Sequence, residues 1–482
     1  MSILETTQES MEKALDVMKK EGTLEKAITV GTNLVGYSLE APSKALVPFL
    51  SPLRNIIPRR VSPTGTSVHW KAITAINAAG KATAIEGVRG NGMSYTVADK
   101  LAAFKTIGLQ DSVTLEAEAA GRNFQDVKAT AVTNLLLRVM TEEEKIILGG
   151  NTTSLGTVAT PTATEVTDAS STLTAVKHYV QCAALTLVAA NRVTLNSQLA
   201  NITGLAVQAT DSSNQAISGA YDGVTAASTA LEVTPSATGK GLTLSVTPVQ
   251  GALAYAWFVA TSSSTTLQAV TTNSTFYLNK LVTGGSAAPT ADGSGDPLAF
   301  DGIIPQIING GGIYADLANS QLTAAAGGIA ELDEINSKLF NLYKNGPTRY
   351  LVSEQLAKDI TSAIVKNQGA PTLFVNNSEK NDITGNYMVK RYVNKSYGGE
   401  NIAIEVHPWL PNGTMVVMCD RVPYPNANIP SVLEMECGYD YRQLEYAMTQ
   451  PKYEFEVRTY EALKHYFPAC QAILTNVKPG IA

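Results

Sequence analysis

Residues 111–150 read DSVTLEAEAAGRNFQDVKATAVTNLLLRVMTEEEKIILGG, and the predicted architecture depends on this stretch. Its beginning continues an extended segment, after which apolar side chains recur at helical spacing. Asn123 can cap the helix, which stops at Gly149 and Gly150. The pattern predicts a helix of about 25 residues, roughly 37 Å long. An extended segment is therefore joined directly to one long helix.

The residues before this stretch predict a two-stranded arm. Residues 66–73 alternate apolar and polar side chains, and a second extended stretch runs from Tyr95 to about Glu118. A segment rich in Gly and Ala, residues 78–92, separates the two. A lone hairpin is only marginally stable in water, so we expect the arm to rest on a neighbour. An amphipathic helix is also predicted close to the N-terminus, where Gly22 can end it.

Residues 151–300 differ in composition from the rest of the chain. They carry 11 charged side chains, against 67 in the other 332 residues, and they are rich in Thr, Ser, Ala, Val and Gly. Short strands joined by polar turns, with Trp257 as a core residue, predict an immunoglobulin-like or fibronectin-like β-sandwich. The predicted strands are 241–247, 254–260 and 275–281, and a Gly-rich return linker follows at 283–296.

Residues 301–482 alternate predicted helices and strands. One helix carries Leu332 and Leu339 and is closed by Gly346, and a second helix is capped by Ser353. Residues 452–458 alternate strictly and predict a strand. The other predicted strands are 350–352, 387–393, 401–406 and 414–419. This part of the chain is predicted to be an α+β body.

The composition of the whole chain disfavours several classes of protein. Its 482 residues include 36 Lys and Arg against 42 Asp and Glu, and a net charge of −6 disfavours dedicated nucleic-acid binding. There is no apolar run of transmembrane length, and the N-terminal residues lack the pattern of a secretion signal. Four scattered cysteines are too few for a disulfide scaffold and fit synthesis in a reducing cytosol.

The sequence offers no pattern of a catalytic, cofactor or metal site. Its four histidines lack metal-ligand spacing, it has no Cys-x-x-Cys pair, and no serine lies in a Gly-x-Ser-x-Gly elbow. The string Gly239-Lys240-Gly241 lacks the first glycine and the hydroxyl of a phosphate loop. Asp292 and Asp296 lack the ligand set of a calcium loop, so a linker is favoured there. A self-assembling structural protein is therefore favoured over an enzyme.

Three groups of residues resemble a known family. They are DSVTLEAE at 111–118 with the glycines at 149–150, GGE at 398–400 with HPWLPNGT at 407–414, and the closing run from Tyr453 to Val477. Their order along the chain is similar to that of the major capsid protein of tailed bacteriophages, the Hong Kong 97-type fold. The resemblance covers residues 1–150 and 301–482. The sandwich resembles the immunoglobulin-like domain that some capsid proteins of this type carry after the long helix.

The resemblance implies an α+β Hong Kong 97-type fold with an all-β immunoglobulin-like insertion. It implies that subunits assemble, without catalysis, into hexamers and pentamers of an icosahedral shell around double-stranded DNA. The implied divisions are an N-terminal arm at 1–54, an extended-loop hairpin at 55–120, a spine helix of the peripheral domain at 121–150, the inserted sandwich with its linkers at 151–300, a peripheral-domain segment and axial domain at 301–445, and the C-terminal peripheral strands at 446–482.

The resemblance also implies partners and a location. The chain would bind copies of itself, a scaffolding protein, a portal and cement or decoration proteins, and it would touch packaged DNA without sequence specificity. It would belong to the virion, assembled in the host cytoplasm, with no membrane and no cofactor. The inserted sandwich would project outward, where its neutral Thr and Ser surface could contact host-surface glycans, a hypothesis motivated by composition alone.

Charged residues supply the candidate contacts between subunits. Basic side chains cluster in the arm region, and we expect some of them to meet acidic groups such as those at 142–144 on neighbouring subunits. The candidates are Arg54, Arg59, Arg60, Trp70, Lys71, Glu142, Glu143 and Glu144.

Two other classes of protein stay open. A secreted or cell-surface adhesin with an immunoglobulin-like carbohydrate-binding module is favoured by the Thr/Ser-rich sandwich and opposed by the missing secretion signal. A hydrolase whose site is spread over distant residues is the other. Particle size separates these classes, because a shell protein forms rings, tubes or shells and the others form small particles.

Overall fold

A computed structural model gives the architecture of the chain. It describes residues 12–13, 50–61, 65–78, 83, 85–90, 92–122, 124–192, 223–325, 328–367, 388–424 and 427–480. Most of the predicted N-terminal helix lies outside these residues, although Glu12 and Lys13 are helical. The helices are α1 (Pro52–Ile56), α2 (Leu115–Gly121), α3 (Val127–Gly149), α4 (Leu187–Arg192), α5 (Ile303–Asn309), α6 (Ala330–Tyr343) and α7 (Glu354–Asn367), with a 3-10 turn at Pro468–Cys470.

The strands follow the same order along the chain. They are β1 (Arg59–Val61), β2 (Ser67–Ala78), β3 (Met93–Ala103), β4 (Lys105–Thr114), β5 (Thr162–Thr167), β6 (His178–Leu185), β7 (Leu231–Val233), β8 (Lys240–Ser245), β9 (Ala254–Ala260), β10 (Thr266–Thr271), β11 (Thr275–Leu278), β12 (Ile313–Asp316), β13 (Ala324–Ala325), β14 (Gly328–Ile329), β15 (Arg349–Val352), β16 (Arg391–Asn394), β17 (Glu400–Val406), β18 (Met415–Met418), β19 (Leu433–Glu445), β20 (Lys452–His465) and β21 (Ala472–Thr475).

The chain divides into two compact units. The smaller comprises residues 1–47 and 115–130, and the larger comprises residues 48–114 and 131–482. In the smaller unit, the Asp126 carboxylate accepts the Ala129 N–H at 2.9 Å. Asp126 therefore caps α3, which begins one residue later. Asn123, the predicted cap, lies outside the described residues. The sites and surfaces described below belong to the larger unit.

The long helix is confirmed. With 23 residues, α3 is close to the predicted length, and its later turns bury Leu135, Val139, Ile147 and Leu148. Two of the three glutamates in these turns, Glu143 and Glu144, are fully buried, whereas Glu142 is partly exposed. A buried carboxylate needs partners, and their identity defines the site described below.

The predicted hairpin is also confirmed. β2 and β3 pair antiparallel from Ser67 opposite Ala103 to Ala78 opposite Met93, and they form a sheet of their own. The second extended stretch is not one strand to Glu118, as predicted. β3 ends at Ala103, β4 then joins a different sheet, and the chain is helical from Leu115. Apolar and polar alternation does not specify which partner a strand takes, so the sequence did not separate these segments.

A four-stranded sheet has the order β1-β19-β20-β4. β4 pairs antiparallel with β20 along its whole length, and β1 adds to β19 in parallel. The strand predicted at 452–458 is confirmed and continues to His465. Charged groups are buried in this sheet, where Lys464 Nζ lies 2.8 Å from Glu434 and 2.6 Å from Glu436.

Residues 151–300 contain two antiparallel sheets that share one hydrophobic core. The first has the order β10-β9-β6-β7 and the second β11-β8-β5. Trp257 of β9 lies in the core, 6.1 Å from the Phe276 ring of the opposite sheet, and its indole N–H donates to Thr271 Oγ1 at 2.9 Å. The predicted strand 254–260 is confirmed at its exact bounds. The region is therefore a β-sandwich.

A six-stranded mixed sheet and two helices form the remaining body. The sheet has the order β12-β21-β18-β15-β17-β16, with β12–β21 and β15–β17 parallel and the other pairs antiparallel. Helices α6 and α7 bury Leu332, Leu339 and Ile360 in the same core as Val417 and Leu474 of the sheet. The alternation of helices and strands predicted for residues 301–482 is confirmed.

The sandwich is fixed to this body by buried amides. Asn476 Oδ1 accepts the Ser274 N–H at 2.9 Å, and Asn476 Nδ2 donates to Ser274 Oγ and to Asp316 Oδ1, each at 3.0 Å. Asn273 Nδ2 donates to Asn319 Oδ1 at 2.8 Å. The chain also enters and leaves the sandwich region at one point, because the Gly302 N–H donates to Gly150 O at 2.7 Å.

Candidate functional site

One face of the hairpin formed by β2 and β3 exposes large apolar side chains, with the Lys71–Asp99 ion pair among them. Side chains alternate between the two faces of a strand, and the register places Ile73 opposite Val97 and Ile76 opposite Tyr95. Ile73 and Ile76 share a face despite their odd spacing, because a β-bulge between residues 73 and 75 adds one residue to β2. Six large apolar side chains on this face have half or more of their surface exposed: Ile73, Ile76, Met93, Tyr95, Val97 and Leu101. We call these six residues the arm face.

The base of the hairpin is anchored through its opposite face. Trp70 packs edge-on against Tyr466, with ring centroids 5.6 Å apart, and Phe104 lies 5.1 Å from Tyr460. The Phe104 N–H donates to Thr66 O at 3.0 Å and closes the base. Aromatic pairs of this kind hold the start of the arm. The hairpin, whose β2 strand is roughly 40 Å long, lacks a third strand among the described elements.

A buried charge cluster lies where β1 meets α3 and the four-stranded sheet. Arg59 donates to Glu143 Oε1 at 2.5 Å, and to Asp440 Oδ1 and Glu461 Oε2 at 2.8 Å each. Tyr441 donates to the second oxygen of Glu143 and lies under the Arg59 guanidinium. We call Arg54, Arg59, Glu143, Asp440, Tyr441 and Glu461 the charge cluster, because Arg54 also lies 3.8 Å from Glu143 and stacks on Tyr441.

The charge cluster contains three carboxyl groups around Arg59, more negative charge than one guanidinium can neutralise. Burial, together with the charge of Glu461, raises the pKa of Glu143 to about 8 against the lowering effect of Arg59. Burial likewise raises the pKa of Glu461. Burial disfavours the charged form of Arg59, but Glu461 and Glu143 outweigh it and raise the Arg59 pKa. Arg59 Nε and Glu461 Oε1 are buried without a hydrogen-bond partner among the described residues.

Glu144 holds the segment before β1 in place. Its carboxylate accepts the Leu53 N–H at 2.9 Å and the Arg54 N–H at 2.7 Å, both at the start of α1. His407 Nε2 is the third group, 2.8 Å from Glu144 Oε1. An anion at the start of a helix satisfies N–H groups that have no partner within the helix. Residues 50–61 are therefore tied to α3 by Glu143 and Glu144 together.

Glu142 lies outside this arrangement. It accepts from Arg138 at 2.6 Å and from Lys145 at 3.0 Å on its own helix. The Lys145 ammonium lies 4.8 Å from the centre of the Trp409 ring, and the Trp409 indole N–H donates to Leu50 O at 3.0 Å. Lys71 pairs with Asp99 at 3.3 Å on the exposed hairpin, where such pairs contribute little.

Four of the eight residues predicted to contact neighbouring subunits are brought together by the structure, within one chain. Arg54 and Arg59 meet Glu143, and Glu144 accepts the Arg54 N–H. The other four, Arg60, Trp70, Lys71 and Glu142, lie apart from this cluster. Their contact with a second subunit stays a prediction. The sequence did not point to Asp440, Tyr441, Glu461 or His407, because nothing local marks them as partners of residues that lie 263 to 402 positions away.

The described part of the chain holds no group of three or more His, Cys, Asp or Glu side chains placed to bind a metal ion. Its helices include none that is both long and apolar enough to span a bilayer. The arm face and the charge cluster are the two features on which the proposed function rests. The arm face lies within residues 50–104, and the charge cluster joins Arg54 and Arg59 of that segment to α3, β19 and β20.

Comparisons with known proteins give structural similarities alone. No family model matches the chain, and no curated protein matches it. Among solved structures, the capsid of Myoviridae phage XM1 is similar over 94% of this chain and 100% of its own, with 8% identity and a TM-score of 0.41.

Two further solved structures are similar over most of their length. The capsid of cyanophage A-1(L) is similar over 92% of this chain and 98% of its own, with 10% identity and a TM-score of 0.44. The holo-SrpI encapsulin complex of Synechococcus elongatus PCC 7942 is similar over 93% and 94%, with 8% identity and a TM-score of 0.40. Phage capsids, the class that the sequence resembles, thus recur among these structures. Since the TM-scores lie below 0.5, the case for a function rests on the chain's own contacts.

Proposed function

We propose that this chain is the major capsid protein of a tailed bacteriophage, a subunit that assembles with copies of itself into a closed shell. The observation that carries the proposal is the arm face, six large apolar side chains exposed on a hairpin that has no third strand among the described elements. Exposed apolar patches of this kind mark surfaces for protein association. A hairpin of two strands also gains stability when another surface covers it.

A second copy of the chain is the partner that this arrangement favours. The arm is anchored at its base by Trp70 and Phe104, and its two strands pair with no other strand among the described elements. The tie between residues 50–61 and α3 holds the other end of the same segment. When identical subunits close into a ring, the arm face of each subunit can be covered by the next subunit. Many modest contacts of this kind together give a stable assembly.

Assembly tests the proposal. The expressed chain, with a scaffolding protein if needed, is imaged by negative-stain microscopy and sized by sedimentation velocity. We expect rings, tubes or shells from the unaltered chain, and loss of most of this assembly in Ile73→Asp and Val97→Asp, which place a charge on the arm face. Ser94→Asp is the matched control, since Ser94 is an exposed residue of β3 on the opposite face.

Two results would contradict the proposal. A compact monomer at every concentration and with every scaffold tested excludes a shell protein. If circular dichroism shows that both variants are folded, and Ile73→Asp assembles as well as Ser94→Asp does, then the arm face has no role in assembly.

The finer organisation belongs to the same proposal. The N-terminal arm is residues 1–54, the extended loop 55–120, the spine helix 121–150, the immunoglobulin-like insertion 151–300, the axial domain and a peripheral segment 301–445, and the C-terminal peripheral strands 446–482. Hexamers and pentamers would form an icosahedral shell around double-stranded DNA, assembled in the host cytoplasm with a scaffolding protein, a portal and cement proteins. The net charge of −6 fits DNA contacts that are few and non-specific.

The sandwich suggests a second role, contact with sugars. On the outer face of β11, the Tyr277 ring is partly exposed and covers Gly241, where a Cβ atom would lie 2.2 Å from the tyrosine oxygen. Thr243 lies opposite Tyr277 and Thr164 lies opposite Thr243, so hydroxyls border the ring. An exposed aromatic ring beside hydroxyl groups suits the apolar face of a sugar.

A glycan array tests this second role. Tyr277→Ala should lose binding that Val176→Ala, an exposed change elsewhere on the sandwich, retains. Binding that is absent from the unaltered protein, or equal in both variants, contradicts it. The alternative function, a secreted or cell-surface adhesin, shares this sugar contact, and the assembly experiment separates the two.

A further inference from the structure

Two of the four cysteines lie just beyond the end of one strand pair. Cys419 follows β18, and Cys470 ends the 3-10 turn before β21. These strands are antiparallel and their pairing ends with Val417 opposite Ala472, so the same register continued by two residues would set Cys419 across from Cys470. Opposite residues of an antiparallel pair have Cα atoms about 4.5–5.5 Å apart, within the range that a disulfide bridges.

The two thiols lie in the same buried core, and Asn345 Nδ2 donates a hydrogen bond to Cys470 Sγ at 3.5 Å. The interaction with Cys419, and then the hydrogen bond from Asn345, lower the pKa of Cys470 against the effect of burial. Because an N–H donor stabilises a thiolate, Cys470 is assigned as the nucleophile of the pair.

The other two cysteines lack this arrangement. Cys182 lies opposite Trp257, and Cys437 lies opposite Glu461. Burial raises the pKa of Cys182, and burial raises that of Cys437 to about 12. A buried thiol that stays protonated is a poor nucleophile, so these two serve as internal controls for the first pair.

We propose that Cys419 and Cys470 are a latent disulfide, reduced in a reducing cytosol and closed by a peroxide in an oxidising medium. Hydrogen peroxide is small and uncharged, which suits a pair buried in the core beside β18 and β21. The pair is independent of the assembly proposed above, because it lies within one chain and requires no second copy.

The chemistry balances in two steps. The Cys470 thiolate attacks one oxygen of hydrogen peroxide, so an S–O bond forms, the O–O bond breaks, and hydroxide leaves with the proton released when the thiol ionised. The Cys419 sulfur then attacks Cys470 Sγ, so the S–S bond forms and the S–O bond breaks, and the departing hydroxide takes the Cys419 proton. Two thiols are oxidised to one disulfide, and one peroxide is reduced to two waters.

The bond would close a loop that contains all of β19 and β20. These two strands form the centre of the four-stranded sheet, whereas β18 and β21 belong to the six-stranded sheet. Joining Cys419 to Cys470 ties both ends of the β19–β20 segment to the six-stranded sheet. A closed loop of this length restricts the unfolded chain and raises stability.

The test counts thiols in the full-length protein. The reduced protein is treated with a small excess of hydrogen peroxide, quenched, denatured and titrated with a thiol reagent, and its peptides are mapped without reduction. We expect the titratable thiols to fall from four to two, one linked peptide joining Cys419 to Cys470, and a melting temperature that rises by a few degrees and returns on reduction. In Cys437→Ser the same linked peptide forms, and in Cys470→Ser no linked peptide forms.

The unaltered protein alone can overturn the proposal. Four thiols left after treatment, or a linked peptide that involves Cys182 or Cys437, contradicts it. Because this result needs no variant, a serine substitution that fails to fold leaves the test intact.

Discussion

Arg59 is the side chain on which the buried charges of the larger unit converge. It bonds three carboxylates, and two of these, Glu143 and Glu461, have no exposed side-chain surface. A buried carboxylate without a cation is costly, because burial removes its hydration. The charge cluster therefore depends on one guanidinium more than on any of its acids.

Replacing Arg59 should destabilise the protein. Arg59→Met removes the cation and leaves Glu143 and Glu461 buried, so we expect the free energy of unfolding to fall by about 3–5 kcal/mol. Arg60→Met is the matched control, since Arg60 is the exposed neighbour on the same strand and should change stability by about 0.5 kcal/mol or less. Urea unfolding measures both, and equal losses in the two variants would contradict the role given to Arg59.

Glu143 makes stability depend on pH. Its pKa is raised from an ordinary 4.5 to about 8, so the folded state binds more protons than the unfolded state between these values. Stability from this group is complete below pH 4.5 and is lost as the pH rises through 8. Glu143→Gln resembles the protonated acid. Its free energy of unfolding should therefore rise relative to that of the unaltered protein as the pH rises from 5 to 8, by about 1.4 kcal/mol for each unit by which the pKa of Glu143 is raised.

Urea unfolding of both proteins at several pH values measures this difference. Titrating groups that do not contact Glu143, such as the buried His465, are common to both proteins and cancel in the comparison. A stability difference that stays constant from pH 5 to pH 8 would show that Glu143 keeps its ordinary pKa.

The sequence named some members of the charge cluster but not the way they pair. The basic residues near 54–60 were predicted to meet the acidic run at 142–144 of neighbouring subunits, whereas the structure joins Arg59 to Glu143 within one chain. It could not predict Asp440 or Glu461. These acids reach Arg59 only because β19 pairs with both β1 and β20, and alternation within a strand does not specify such pairing.

Among the elements, β4 and β20 approach each other closely at Gly108. A Cβ atom there would lie 2.8 Å from Arg458 Cβ and 3.1 Å from Val457 O. Gly108→Ala should therefore force the strands apart and cost about 1–3 kcal/mol of stability. Gly90→Ala, where a Cβ atom would meet open space, is the matched control and should leave the melting temperature unchanged. A Gly108→Ala protein as stable as the control would mean that the strands adjust without strain.

Elements with a strong period were predicted, and elements set by tertiary contacts were not. The long helix and the strand from Lys452 follow from periodicity alone, and the structure contains both. The division of the second extended stretch into β3, β4 and α2 was missed. The extended stretch is interrupted at Phe104 because β3 pairs with β2 and β4 pairs with β20. Local sequence does not reveal which strands will pair.

On the scale of the whole molecule, the sandwich is bound to the body rather than merely tethered. Asn476 makes three hydrogen bonds that join Ser274 of the sandwich to Asp316 of the body. Asn476→Gly keeps the left-handed backbone, since Asn476 has a φ of 59°, and deletes these bonds. We expect a loss of about 1–3 kcal/mol and faster hydrogen exchange at residues 272–276.

Asn319→Gly is the control for this change. Asn319 also has a positive φ, of 63°, and its side chain accepts one hydrogen bond from Asn273 at a less buried position. We expect a smaller effect there. If exchange at 272–276 is the same in Asn476→Gly as in the unaltered protein, the amide of Asn476 does not hold the sandwich in place.

The meeting of Gly150 and Gly302 has a consequence for the history and the engineering of this chain. Because Gly150 and Gly302 are in contact, the two ends of the inserted region lie side by side. Exchanging this region for another domain therefore leaves the path of the body's chain unchanged, and costs the body the hydrogen bonds that Asn476 and Asn319 make with the sandwich. A foreign domain with adjacent termini, such as an antigen or a reporter, should be accepted at the same place.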